Sequence, residues 1–214
     1  MNYELFIAKR IIAGKKYKNS ISSPIIKIAI TAIALGIIIM LIAVATAKGL
    51  QTKIRDKMAG FKGHVQIVNY DNNNSDVSTT PINIEQAFYP KFENIEGIKN
   101  VQIFASKFGI IRTDTDFEGI VFKGVSTDYD WSFFEEYLVA GTVPDFKQQR
   151  TKEVLLSQTI MNRLQLKLKD TITATFLKTT AGTIPSNRKY NISGIYNSGF
   201  APFDKNMMIG DIRE

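Results

Sequence analysis

Few residues in this sequence could make or break bonds. It holds one histidine, His64, and no cysteine, so the commonest nucleophile–base pairs depend on His64 alone. That residue stands just past a helix break, at the start of an alternating apolar stretch, where a structural role is expected. Asp114, Asp116 and Glu118 lie close together, but they lack the spacing and the glycine of a calcium loop. Between two strand-like runs they read as a solvated turn. A Gly-x-x-x-x-Gly-Lys-Ser/Thr phosphate loop is absent, so the chain is not itself a nucleotide-hydrolysing P-loop protein. The residue types point away from an enzyme, and neither a cofactor nor a metal is expected.

The sequence is organised instead around residues 28–47, twenty consecutive positions without a charge, among which Thr31 and Thr46 are the polar ones. A helix of that length covers about 30 Å, the thickness of a bilayer's hydrocarbon core. Ala43, Ala45 and Ala47 resemble a signal-peptide cleavage site, but the run is longer than a signal's apolar core. Helical periodicity also continues beyond it through Leu50, Ile54 and Met58, to Gly60 and Gly63. An uncleaved span at 25–47 and a helical stalk at 48–62 are therefore expected. Ala32, Gly36, Ala43 and Ala47 fall within about 60° on such a helix. Small residues on one face let another backbone or a lipid chain approach closely, which makes these four the candidate packing or substrate-route residues.

The net charge of +7 is local. Residues 1–62 hold eleven Lys or Arg against two acids, whereas residues 63–214 hold sixteen against eighteen. Basic clusters beside a span suit anionic lipid headgroups, and the slightly acidic remainder argues against a nucleic-acid partner. Lys9, Arg10, Lys15, Lys16, Lys18 and Lys27 precede the span and bias the N-terminus toward the cytoplasm. Within the N-terminal segment 1–24, residues 2–17 read either as an amphipathic helix at the membrane surface or as a plain helical lead-in.

Beyond residue 63 about 150 residues remain, enough for one domain core. The pattern reads as a strand over 64–70, a polar loop over 70–80 with a chance Asn73-Asn74-Ser75 triplet, and a short helix over 84–95 interrupted near Pro90. A hairpin then turns at Asp114-Thr115-Asp116, and Trp131, Phe133 and Phe134 form an aromatic cluster expected to pack in the core. A strand ending at Ser157, a helix around 160–164 with Ser157 as N-cap, and further strands complete the chain. These mixed pieces predict an α+β domain over 63–214.

Taken in order, several segments resemble the N-terminal half of an ABC-transporter permease of the MacB/FtsX-like superfamily, nearest in pattern to the LolC/LolE lipoprotein-releasing permeases. They are FIAKRII, the span with IALG, KGLQTKIRDKMAGFKGHVQI, ENIEGIKNV, GIVFKGV, EVLLSQTIMNRLQLKLKDTIT and ISGIYNSGFAPFDKNMMI. Where such permeases read like LGLKVGD, this chain has LQLKLKD, with Gln165 and Lys169 in place of glycines. The resemblance implies a MacB-like periplasmic core domain carried by the first of four spans, so that this chain reads as a fragment. It also implies a cytoplasmic ABC ATPase partner, a second permease subunit in a homo- or heterodimer, a lipoprotein substrate, a periplasmic lipoprotein chaperone, membrane lipid around the span, and a bacterial inner-membrane location. Efflux of the MacB kind, control of cell division of the FtsX kind, a single-pass anchored binding module and an uncharacterised enzyme are the competing readings.

Overall fold

The computed structural model describes residues 3–13, 22–70, 80–92, 95–147, 149–176 and 185–214. The chain divides into two compact units, Met1–Asp56 and Lys57–Glu214.

The first unit is helical. Helix α1 covers Tyr3–Ala13, and helix α2 runs from Ser22 to Lys62 without a break, so no interruption marks the expected boundary between span and stalk. Residues 24–56 of α2 are exposed along their whole length. The helix is long and apolar enough to cross a membrane. Such an exposed apolar surface suits an apolar phase around it.

The second unit is built on strands β1 (Phe104–Arg112), β2 (Phe117–Val125), β3 (Leu138–Gly141), β4 (Glu153–Ser157), β5 (Thr171–Phe176), β6 (Ser186–Tyr196) and β7 (Met207–Asp211), with short helices α3 (Ser132–Glu136), α4 (Gln158–Arg163) and α5 (Ala201–Asp204). The expected hairpin is present: β1 and β2 pair antiparallel from Phe104↔Val125 to Arg112↔Phe117. Thr113 N–H donates to the Asp116 carbonyl at 2.9 Å across its turn. β2 pairs parallel with β7, β7 antiparallel with β4, and β4 parallel with β6. β5 then bonds to both β6 and β1, so the sheet closes on itself as a barrel. β3 adds to the remaining half of the β6 edge. Closure removes most of the sheet edges that would otherwise pair with other chains.

Closure also creates two apolar cores. Inside the barrel, Ile111, Ile120, Phe122, Val154, Leu156 and Met208 meet, with Ile160 and Met161 of α4 and its C-cap Leu164 packed on them. Outside it, Leu155, Tyr196, Met207 and Ile209 join Phe61, Val125, Phe134 and Phe146. β4 and β7 are covered on both faces, which explains their nearly continuous apolar sequences, VLL and MMI. Ser157 is the N-cap of α4, accepting from Ile160 N–H at 3.2 Å as its position predicts. The long apolar helix followed by a mixed α+β domain is the fold class expected from the sequence.

Two expected elements do not form. Residues 64–70 are not a strand: the barrel closes without them, and Val65, Ile67, Val68 and Tyr70 stay exposed. The helix expected over 84–95 is a series of turns in its described part. There the Asn83 side chain accepts from Glu85 N–H at 3.1 Å, a local bond that competes with helix, and Pro90 supplies no N–H. The loop expected over 70–80, with Asn73-Asn74-Ser75, lies outside the described residues at 71–79. The LQLKLKD turn keeps a backbone that favours glycine, with Gln165 at φ 52° and Lys169 at φ 72°.

Candidate functional site

The most elaborate constellation in Lys57–Glu214 surrounds the last turn of α2. Gly63, at φ +79°, ends the helix and donates its N–H to the Ala59 carbonyl at 2.7 Å, a left-handed cap suited to glycine. One turn earlier Gly60 allows close packing: a Cβ there would lie 2.2 Å from the Phe133 ring. Gly60 therefore lies within the helix, which ends at Gly63. That approach brings Phe61, fully buried, into an aromatic nest. Its ring stacks on Phe203 at 4.5 Å between centroids and meets Phe133 and Phe134 edge-on, each at 5.3 Å. The aromatic cluster expected around Trp131 is thus core, as its composition predicts, and its centre is Phe61.

Two lysines grip the same turn. Lys57 Nζ donates to the Ser198 carbonyl at 2.5 Å and sits 5.5 Å from the centre of the Tyr137 ring. Lys123, on β2, donates to the carbonyl of Phe61. Its ammonium is 3.4 Å from the Tyr129 hydroxyl and 5.5 Å from the Phe104 ring centre. Burial lowers the Lys123 pKa from 10.5 to about 8. Burial, and next the charge of Asp130, raises that of Tyr129, which keeps its proton.

The segment that receives Lys57 is braced in turn. Buried Asp204 accepts from Ser198 Oγ at 2.6 Å and from Phe200 N–H at 3.2 Å, while its own carbonyl accepts from Ser157 Oγ. Tyr196 donates its hydroxyl to the Met207 carbonyl at 3.1 Å. The end of α2 is therefore fixed by an aromatic ring, two ammonium groups and a hydrogen-bonded loop. Such an arrangement holds the helix end against the barrel.

The residues singled out in the sequence lie elsewhere. Ala32, Gly36, Ala43 and Ala47 all belong to Met1–Asp56, lie on α2 and are exposed. A Cβ added at Gly36 would meet nothing within 4 Å. His64 is exposed just beyond the cap. Asp114, Asp116 and Glu118 do not converge: the Asp116 carboxylate caps Phe117 N–H at 3.0 Å, and Glu118 pairs with Arg163 at 3.2 Å. Sequence reasoning missed Phe61, Lys123, Ser198 and Asp204. The available signal was strand parity, because Lys123 shares a face of β2 with Val121 and Val125.

No curated protein sequence matches the chain. Among solved structures, the extracellular domain of the noncanonic ABC-type transporter YknZ from Gram-positive bacteria is similar at 16% identity and a TM-score of 0.41. That match covers 56% of this chain and 58% of that one, so the chain spans less than two thirds of it. Residues 28–213 match the family described as the MacB-like periplasmic core domain. With most of its length in that match, from the span to the last strand, the chain belongs to the family of MacB-like periplasmic core domains.

Proposed function

We propose that the chain is the first span, stalk and extracytoplasmic domain of a permease subunit in an ATP-driven ABC transporter that releases lipoproteins from the bacterial inner membrane. ATP is hydrolysed in a separate cytoplasmic subunit, and a second permease subunit completes the transporter. Residues 1–24 lie on the cytoplasmic side, 25–47 cross the membrane, 48–62 form the stalk, and 63–214 work outside the cytoplasm, where a lipoprotein chaperone receives the substrate. The observation that carries this reading is the joint. The helix that contains the apolar span also supplies the turn bearing Phe61, which the barrel's outer core encloses. Membership of the family supports the transporter class, and the resemblance of segments such as GIVFKGV and ISGIYNSGFAPFDKNMMI to LolC/LolE permeases supports lipoprotein as the cargo. Ala32, Gly36, Ala43 and Ala47 then form the face of the span that meets the partner permease or the acyl chains.

Affinity purification of the tagged protein from its native membrane tests the transporter reading. An ABC ATPase and a second permease should co-purify, and the complex should hydrolyse ATP. Isolation of the chain without any ATPase would replace the reading with a membrane-anchored binding module. Co-purification of a cell-wall hydrolase or an efflux adaptor would keep the transporter and replace the cargo.

A further inference from the structure

We propose that the strap formed by residues 80–92 and 95–103 and the last turn of α2 move as one unit on the barrel, joined through Asp128, Tyr129 and Asp130. These three consecutive residues follow β2 and serve two partners. Asp128 and Asp130 hold the strap. One Asp128 carboxylate oxygen accepts from the Tyr89 hydroxyl at 3.1 Å and from Ile103 N–H at 3.1 Å, and the Asp128 carbonyl accepts from Asn100 Nδ2 at 3.2 Å. Asp130 donates its N–H to Gln102 Oε1 at 3.0 Å, and its carboxylate accepts from Lys99 at 3.0 Å. Between them, buried Tyr129 serves the helix end: it lies in the outer core with Phe61 and Phe134 and meets Trp131 edge-on at 4.9 Å. Its hydroxyl is 3.4 Å from the Lys123 amine, the group that bonds the Phe61 carbonyl.

The strap has a small apolar hold of its own, because Ile82, Ile84, Ile95 and Ile98 stay exposed. The polar bonds to Asp128 and Asp130 therefore decide where it lies. Peptide planarity leaves only φ and ψ free at each residue, so Tyr129 cannot swing while the residues on both sides of it are pinned. Its own N–H donates to the Ser126 carbonyl at 3.3 Å, which closes the segment into a turn. Lifting the strap frees Asp128 and Asp130 together, and Tyr129 then loses the backing that keeps its ring in the core of Phe61. Release of Phe61 in turn removes the packing that holds Tyr129, so the coupling runs both ways. Coupling of this kind needs one element that both partners bias, and the turn over 126–130 is that element. Strands β4, β6 and β7 are held by their own ladders and stay outside the unit.

The proposal concerns the joint on which the proposed function rests, but its test reads no transport, so either can fail while the other stands. Amide hydrogen exchange is measured at one pH on the full chain in lipid nanodiscs. The native protein is compared with Asp128→Ala, with the double variant Tyr89→Phe/Asn100→Ala, which changes the strap alone, and with Phe61→Leu, which changes the helix end alone. In the double variant the Ile103 amide and residues 57–63 should lose protection together, by about tenfold, as the loss of two such bonds implies. Barrel amides such as Leu155 and Met208 should not follow. Asp128→Ala should show the same pattern more strongly, and Phe61→Leu should loosen the Ile103 amide although it touches no strap residue. Native protection of 57–63 beside a freed Ile103 amide would overturn the proposal. So would an unchanged Ile103 amide in the double variant, or a joint loss of turn and barrel protection there. If Asp128→Ala does not fold, the double variant and Phe61→Leu decide.

Discussion

Lys123 reaches back 62 residues to bond the backbone carbonyl of Phe61. One residue thus meets the barrel through its ring and through its carbonyl. The ring supplies buried area and the carbonyl supplies direction, so the two contributions respond differently to mutation and to pH.

Truncating the ring should destabilise the domain. Phe61 contacts four aromatic rings in a closed nest, and Phe61→Ala should cost about 3–5 kcal/mol, as a cavity left by a buried aromatic does. Phe61→Leu should cost less. Denaturant unfolding followed by tyrosine and tryptophan fluorescence checks the order, and equal effects from both variants would contradict the nest as described.

The pH dependence of stability has a defined sign. Lys123 gives up its proton near pH 8 when folded and near 10.5 when unfolded, so between those values the unfolded chain binds more protons. Stability should rise with pH across that window, by up to about 3 kcal/mol. Burial raises the pKa of both Tyr129 and Tyr196 above the ordinary 10.0. The folded state then keeps protons that the unfolded chain loses, and stability should fall above pH 10. The maximum should therefore lie near pH 10, and Lys123→Met should remove the rising limb and leave the falling one. Urea titrations at half-unit pH steps measure both limbs.

The turn after α4 should be open to improvement. Gln165 and Lys169 hold positive φ without being glycine, a conformation that costs an ordinary L-residue about 1–2 kcal/mol. Gln165→Gly and Lys169→Gly should each stabilise the domain by about 1 kcal/mol, after allowance for the greater entropy of glycine in the unfolded chain. Alanine at either position should not. A rise in the melting temperature with glycine but not with alanine is the expected result.

On the span, Ala43→Leu or Ala47→Leu should impair transport while leaving membrane insertion and domain unfolding unchanged. A photo-crosslinker at either position should capture the partner permease or lipoprotein, and one at Ile38 or Ile42 mainly bulk lipid. Equal capture from both faces would remove the packing role of the small-residue stripe.

How far the fold was legible depended on the range of the forces involved. The β1–β2 hairpin, the Ser157 cap and the α2 helix follow from short-range patterns, and each forms. Residues 64–70 alternate as a strand does, but a strand exists only with a neighbour, and the barrel closes through β5 without pairing them. The joint was the least legible part. Phe61 follows Gly60 at what reads as a helix terminus, and its partners Phe133, Phe203 and Lys123 lie far away in sequence. The aromatic cluster was foreseen; the helix end that completes it was not. For Lys123 the sequence offers strand parity and nothing more, because burial without a counter-charge is a property of the assembled domain.

The most direct measurement is ATP-dependent release of a lipid-anchored protein from proteoliposomes containing the chain's complete transporter, with and without Phe61→Leu at a temperature where both remain folded. The expected result is release that requires ATP hydrolysis and a chaperone acceptor, with Phe61→Leu hydrolysing ATP at the native rate but releasing markedly less lipoprotein. Release unaffected by Phe61→Leu would contradict the joint as the coupling point, and ATP hydrolysis without any lipoprotein release in the native transporter would contradict lipoprotein as the cargo.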